Sequence, residues 1–239
     1  MALPKLSTSP KYEITIPSTG EKTYFRPYLV REERVLLIAS ESGDEHQISK
    51  AAIDVIKACV DKDINDNDIT TYDMEYLFCH IRAKSVGETS KMVITCTSPE
   101  CDHSSEVNIP LEKVEVDTKN MPDAMIKMTD NIFIEMKHMT YFDILNNKHL
   151  AESSDETEQI YHSVITSIKS IKTDEEIISA KDETYEDLVE FVNSLSIPQF
   201  AKLQDFVLNS PQIALPFEWT CEVCKSENAV ELRGILDFF

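Results

Sequence analysis

The chain has 239 residues, of which 43 are Asp or Glu and 23 are Lys or Arg, so its formal net charge is -20. A surface of this charge repels phosphate backbones, whose binding depends on lysine and arginine side chains, and this argues against direct binding of nucleic acid. Hydrophobic residues make up 42% and charged residues 28%, fractions that are typical of a globular protein and argue against a wholly disordered chain.

The first predicted element is an extended arm with a small hairpin, over residues 1–28. Tyr12, Ile14 and Ile16 alternate with polar neighbours, which is the pattern of a half-buried strand. A turn at Pro17–Gly20 then leads into a second extended segment. We therefore expect two paired strands at the beginning of the chain.

Residues 29–88 are predicted to be helical, because apolar residues recur there at three-and-four spacing. The predicted helices span Val30–Ser40, Gln47–Val60, and a segment that begins at Thr70 or Thr71 and ends before Gly87. A threonine hydroxyl can cap the first turn of the third helix.

Strands and helices alternate in blocks along the rest of the chain. The predicted strands, which are short and alternating or β-branched, span Lys91–Cys96, Ser105–Ile109, Val114–Val116, Ala124–Met128, Asn131–Met136, Gln212–Thr220 and Ala229–Leu232. The predicted helices span Tyr141–Leu150, Glu156–Ile168, Tyr185–Leu195 and Pro198–Asn209.

These elements predict an α+β fold, in which helical segments surround a small antiparallel sheet region with a four-cysteine site that resembles a zinc ribbon. Residues 89–138 together with 211–239 are predicted to form the sheet region. Residues 139–210 are predicted to be a helical insertion.

Two cysteine pairs give the sharpest chemical signal, Cys96 with Cys101 and Cys221 with Cys224. Each pair lies between two extended segments, so each can form a turn that directs two sulfurs towards a common point, as in a zinc ribbon. The N-terminal residues do not resemble a signal peptide, and no apolar stretch is long enough to span a membrane. A reducing cytosol is therefore expected, where paired cysteines bind metal more often than they form disulfides.

Other interpretations of the cysteines stay open. The pairs can be metal-free turn cysteines or a redox dithiol, and His103 can replace one cysteine as a ligand. Cys59 and Cys79 occur singly on helical segments and are interpreted as small buried hydrophobic residues. Because four protein ligands leave no open coordination position, the expected Zn²⁺ is structural.

The sequence contains no complete catalytic motif. Its six histidines do not form the H-E-x-x-H pattern, its four glycines cannot form a P-loop or a dinucleotide fingerprint, and the G-x-S-x-G elbow is absent. A non-enzymatic protein is therefore predicted. The alternative is a zinc-containing enzyme or a thiol redox protein of the cytosol.

Several segments of the chain form a recognisable combination. They are Leu3–Leu6, Tyr12–Gly20, Phe25–Glu33, the Arg82–Glu88 block before the first cysteine pair, and Cys221–Cys224 with the ending Leu232–Phe239. Together these segments resemble the baseplate hub assembly proteins of T-even bacteriophages. The resemblance extends over nearly the whole chain and is weakest in the helical part, from Met139 to Ser210.

This resemblance implies a structural or assembly protein of the tail baseplate hub, without catalytic residues. The implied partners are other phage tail, hub or tape-measure proteins, bound in the host cytoplasm during assembly or in the virion baseplate. Tyr12, Phe25 and Tyr28 in the arm, with Phe238 and Phe239 at the other end, are candidate docking elements. The alternative is that these residues pack on the protein's own core.

Overall fold

A computed structural model of the chain describes residues 9–65, 67–153 and 155–233. Within these residues, eight α-helices alternate with short antiparallel strands, so the predicted α+β class is confirmed. The helices are α1 Val30–Ser42, α2 Glu45–Cys59, α3 Thr71–Ser85, α4 Tyr141–Asn146, α5 Lys148–Glu152, α6 Glu156–Thr166, α7 Tyr185–Asn193 and α8 Ile197–Leu208. The strands are β1 Tyr12–Thr15, β2 Lys22–Phe25, β3 Thr89–Thr95, β4 Ser104–Pro110, β5 Glu115–Asp117, β6 Met125–Lys127, β7 Phe133–Met136, β8 Ile168–Lys172, β9 Ile177–Ser179, β10 Gln212–Thr220 and β11 Glu227–Arg233.

The described residues form two compact units. Unit one comprises the described residues within Met1–Asn65, Tyr72–Asp117 and Gln212–Phe239. Unit two comprises the described residues within Asp66–Thr71 and Thr118–Pro211. The domain boundaries drawn from the sequence stay a prediction.

Unit one contains two hairpins and a three-stranded sheet. β1 pairs with β2, β3 pairs with β4, and β10 lies between β11 and β5, all antiparallel. One buried core connects α3 with these strands, because Cys79 and Ala83 belong to the same apolar cluster as Ile109, Ile213 and Leu232. Its buried strand residues lie towards the ends of the two longer hairpins that are opposite the cysteine loops, since Ile109 pairs with Ser90 and Leu232 pairs with Leu215.

The N-terminal hairpin is an integral part of unit one. Ile14, Ile16 and Phe25 are buried, and Phe25 forms an isolated β-bridge with Val60 at the end of α2. The ring of Tyr12 lies 5.6 Å from that of Phe25, centroid to centroid. The apolar side chains of this segment therefore pack largely within the protein itself.

Unit two consists of the four-stranded sheet β6-β7-β8-β9 and helices α4 to α8. Its core is an apolar cluster in which Ile134, Val164, Ile165, Leu203 and Phe206 are almost fully buried. α6 and α8 pack against each other over this core.

The prediction of helix from Glu156 to Ile168 is wrong at its end. The helix ends at Thr166, and β8 and β9 follow within residues 139–210, for which the sequence predicts a helical insertion. Ile168, Ser170 and Ile171 are buried in β8, which pairs with β7. Five residues with two isoleucines fit a helix or a strand equally well, so only the pairing with β7 decides between them.

The predicted helix Tyr141–Leu150 is interrupted at Asn147. The side-chain oxygen of Asn147 accepts hydrogen bonds from the amides of His149, at 3.0 Å, and Leu150, at 3.4 Å. It therefore acts as the N-cap of a new helix, a role for which asparagine is well suited.

Glu135 connects two strands in unit two. Its carboxylate accepts hydrogen bonds from Lys169 at 2.6 Å and from Ser170 at 3.1 Å, and it pairs with Lys172 at 2.8 Å. The hydrogen bond from Lys169 is the largest of the effects that lower the pKa of Glu135 from 4.5 to about 2. Its ionised form is therefore favoured in the folded protein.

We expect Glu135→Gln to lower the free energy of unfolding by about 1 kcal/mol at pH 7, because a partly exposed ion pair contributes little more than this. The folded-state pKa lies below the unfolded value, so the contribution is present above pH 4.5 and disappears as the pH falls towards about 2. Urea unfolding of both proteins between pH 2 and pH 7 measures the difference.

Glu176→Gln is the matched control, because Glu176 is exposed and its carboxylate has no partner among the described residues. A stability difference for Glu135→Gln that does not change with pH would contradict the assigned role of the ion pair.

Candidate metal centre

The two cysteine pairs lie in the loops that close two hairpins of unit one. Cys96 directly follows β3, and the last pair of this hairpin is Thr95 with Ser104. Cys221 directly follows β10, and the last pair of that hairpin is Thr220 with Glu227. The strand registers thus place both loops at hairpin ends, as the alternating sequence pattern predicts.

The structure brings the four sulfurs of Cys96, Cys101, Cys221 and Cys224 within 4.8 Å of one another. The sulfurs of Cys96 and Cys224 are 3.6 Å apart, and those of Cys101 and Cys221 are 3.8 Å apart. Four thiolates at about 2.3 Å from one tetrahedral ion lie about 3.8 Å from one another. Bonded sulfurs lie about 2.05 Å apart, so the arrangement fits one bound metal ion and not two disulfides.

Backbone amides point at three of the sulfurs. The amide of Ser98 donates to Cys96, that of His103 to Cys101, and that of Ser226 to Cys224, in each case from two residues further along the chain. Hydrogen bonds of this kind stabilise thiolates over thiols and orient metal ligands.

The thiols differ in acidity. The Ser226 hydroxyl, 2.9 Å from Cys224, is the main cause that lowers the pKa of Cys224 to about 6, and it also lowers the pKa of Cys96. The His103 amide favours the Cys101 thiolate, but burial and the neighbouring thiols together raise the pKa of Cys101 to about 11. A cation at the centre would reverse the effect of those neighbours, because it stabilises every thiolate at once.

Asn228 connects the two cysteine loops by hydrogen bonds, and the sequence pattern did not identify it as part of the site. Its side-chain oxygen accepts hydrogen bonds from the amide and the hydroxyl of Thr97, both at 2.8 Å, and its amide group donates to the Ser226 carbonyl at 2.9 Å. The residue is 4% exposed. The sequence signal that could have identified it is a polar residue at a position where the alternation of β11 places a buried side chain.

The other sequence candidates lie apart from the cluster. Among the described residues, the group of close metal-ligand atoms contains no His103 nitrogen, although the His103 carbonyl accepts a hydrogen bond from the Cys96 amide at 2.9 Å. Cys59 and Cys79 are buried on helices, and burial raises the pKa of these thiols to about 11 and about 12. Such thiols are poor nucleophiles at neutral pH.

Comparison with known proteins identifies a family. A family model described as T4 bacteriophage base plate protein matches residues 9–239. No curated protein and no solved structure matches the chain. Within the part of the chain that the structure describes, every helix is too short or too polar to cross a membrane.

We expect Asn228→Ala to lower the free energy of unfolding by about 2 kcal/mol, because it removes a buried side chain whose hydrogen bonds to Thr97 and Ser226 join the two cysteine loops. It should also weaken the binding of Co²⁺ by about tenfold or more, as removal of groups that orient metal ligands commonly does. Titration with Co²⁺, followed by its thiolate absorption, measures the affinity.

Asn108→Ala is the control, because Asn108 is exposed on β4 and its side chain has no partner among the described residues. Unchanged Co²⁺ affinity in Asn228→Ala, together with lowered stability, would restrict Asn228 to a purely structural role.

Proposed function

The chain belongs to the family of T4 bacteriophage base plate proteins, and on that premise we propose that it builds or assembles the baseplate hub by docking onto other tail proteins. The observation that carries the proposal is the family match over residues 9–239, which is nearly the whole chain. A location in the virion tail follows from this family. We propose hub or tape-measure proteins as the partners, and the host cytoplasm as the place of assembly.

The same premise supports a non-enzymatic role. A net charge of -20 also favours protein partners over nucleic acid. The alternative, a zinc enzyme or a thiol redox protein, has less support, because four thiolates around one ion would leave no open position for a substrate or a water molecule.

Exposed aliphatic side chains support docking through α1. Val30, Leu37 and Ile38 are 71%, 57% and 64% exposed. Their spacing places them on one face of the helix, opposite the side that carries the buried residues Glu32 and Ala39. We propose that another baseplate protein covers this face, because a protein that works alone rarely exposes such a stripe.

The ends of the chain were the docking elements expected from the sequence. Phe25 is buried and Tyr12 is half-buried, which favours the alternative that the arm packs on its own core. Phe238 and Phe239 lie outside the described residues, and docking through them stays a proposal.

We further propose that Cys96, Cys101, Cys221 and Cys224 bind one structural Zn²⁺. The support is the sulfur geometry, the amide donors and the all-thiolate ligand set, which suits Zn²⁺. The ion would cross-link two hairpins of unit one whose cysteines are at least 120 positions apart. It would therefore contribute directly to folding.

Protein purified without chelator is expected to contain one zinc per chain, by elemental analysis. The double variant Cys221→Ser/Cys224→Ser should contain none and lose about 4 kcal/mol or more of stability, because metal binding is coupled to folding. The control Cys79→Ala should keep its zinc, since Cys79 lies outside the sulfur cluster. One iron per chain in place of zinc would contradict the assignment of the metal but not of the ligands.

For docking, we expect the triple variant Val30→Ala/Leu37→Ala/Ile38→Ala to bind baseplate hub proteins about tenfold more weakly than the wild type, because it removes apolar contact area. Alanine favours helix, so α1 should remain folded. Co-purification with co-expressed hub and tape-measure proteins measures binding, and circular dichroism checks the fold.

The matched control is Val93→Ala/Ile177→Ala/Ile197→Ala, which shortens three exposed aliphatic side chains that lie on different elements. A chain lacking Leu236–Phe239 tests the other candidate docking element. If the wild type retains no tail protein and instead turns over a small substrate, the proposed function is wrong.

A further inference from the structure

Unit two contains an open cavity of about 510 Å³. α4, α5, α6, β8 and the start of α7 contribute to its lining. Ligand sites in proteins commonly measure about 300 to 1,000 Å³, so this cavity can hold a few side chains but not a folded domain.

The charge of this cavity is opposite to that of the chain. Four lysines line it, against two carboxylates, those of Asp143 and Glu186. The lysines are Lys137, Lys148, Lys169 and Lys181. The protein as a whole has a net charge of -20, so this lining is a local excess of positive charge on an acidic protein. Such an excess attracts anionic groups.

Two of these lysines have no partner among the described residues. Lys137 binds Asp143 at 2.7 Å and Lys169 binds Glu135 at 2.6 Å. The ammonium groups of Lys148 and Lys181 form no hydrogen bond or ion pair with any described residue, and both side chains are exposed. They are therefore free to bind a carboxylate from another molecule.

Ordered aromatic rings accompany the lysines. The ring of His149 stacks on that of Tyr185, with centroids 4.4 Å apart and planes at 7°. The Tyr185 hydroxyl is held by His162 Nδ1 at 2.5 Å, and Phe142 is 44% exposed at the same cavity. These rings offer preformed surface to an apolar or aromatic side chain.

We propose that this cavity binds an acidic peptide segment of another tail protein, one in which carboxylates alternate with aromatic or aliphatic side chains. Lys148 and Lys181 would take the carboxylates, and Phe142, His149 and Tyr185 the apolar groups. The inference rests on the proposed function, because it assigns one partner chemistry to a docking protein.

Lysines beside aromatic rings also occur in sites for single-stranded nucleic acid. A peptide is favoured here because a short segment brings only a few carboxylates, whereas a polynucleotide would also meet the acidic surface around the cavity. Nucleic acid is therefore one of the outcomes that the experiment must separate.

The probe is a fluorescein-labelled hexapeptide of alternating aspartate and phenylalanine, with blocked ends, and fluorescence polarisation with the full chain measures its binding. We expect Lys148→Glu/Lys181→Glu to weaken binding at least about tenfold, since each cation is replaced by a repelling charge. Peptides with lysine for aspartate, or with serine for phenylalanine, should bind about tenfold more weakly to the wild type.

The matched control is Lys50→Glu/Lys113→Glu, which changes the net charge equally at two exposed lysines outside the cavity. Binding to this variant should stay within about twofold of the wild type, because salt screens distant charges. Phe142→Ser tests the apolar part without changing charge, and it should weaken binding of the aspartate–phenylalanine peptide but not that of the aspartate–serine peptide.

Equal losses in both lysine variants, or no loss in either, would overturn the proposal. Displacement of the peptide by millimolar inorganic phosphate, or equally tight binding of a ten-nucleotide oligothymidylate, would also overturn it. The proposed function is tested by a different experiment, and it is wrong if the wild-type chain does not co-purify with hub proteins. If hub proteins bind and the peptide does not, only the cavity assignment is wrong.

Discussion

The antiparallel pairing of β5 with β10 is the constraint on which the candidate metal centre depends, because it brings together two hairpins that are distant in the sequence. Cys101 and Cys221 are 120 positions apart, yet their sulfurs lie 3.8 Å apart. The chain leaves the sheet after Asp117 and returns at Gln212, and these two residues pair directly in adjacent strands. This pairing fixes the register of the returning strand, so the length of the chain between the two strands matters little to the cysteine geometry.

The environment of the sulfurs shows why a cation would stabilise this fold. Amides two residues further along the chain favour the thiolates of Cys96, Cys101 and Cys224. Ionised sulfurs less than 5 Å apart would nevertheless repel one another, and the buried position of Cys221 strengthens that repulsion. A bound divalent ion converts this repulsion into attraction while the amide donors keep their partners.

Sequence periodicity predicted the elements of unit one well, because its strands alternate clearly and the apolar residues of its helices recur at three-and-four spacing. It failed at β8, where Ile168 and Ile171 suit a helix or a strand and only the pairing with β7 selects the strand. The four cysteines of the cluster were identified from spacing and flanking strands. Asn228 was missed because its role depends on a hydrogen bond to Thr97, 131 positions away, which no local pattern reveals.

The net charge of -20 does not prevent this protein from binding an acidic segment. At physiological ionic strength the Debye length is about 8 Å, so carboxylates further from the cavity are largely screened, whereas Lys148 and Lys181 lie on its lining. A polynucleotide differs, because it extends over several Debye lengths and places phosphates against acidic surface along its path. The same charge distribution would therefore admit a short acidic peptide and reject a long polyanion. The net charge opposes a polynucleotide, and the local arrangement of lysines would decide whether a short anionic segment binds.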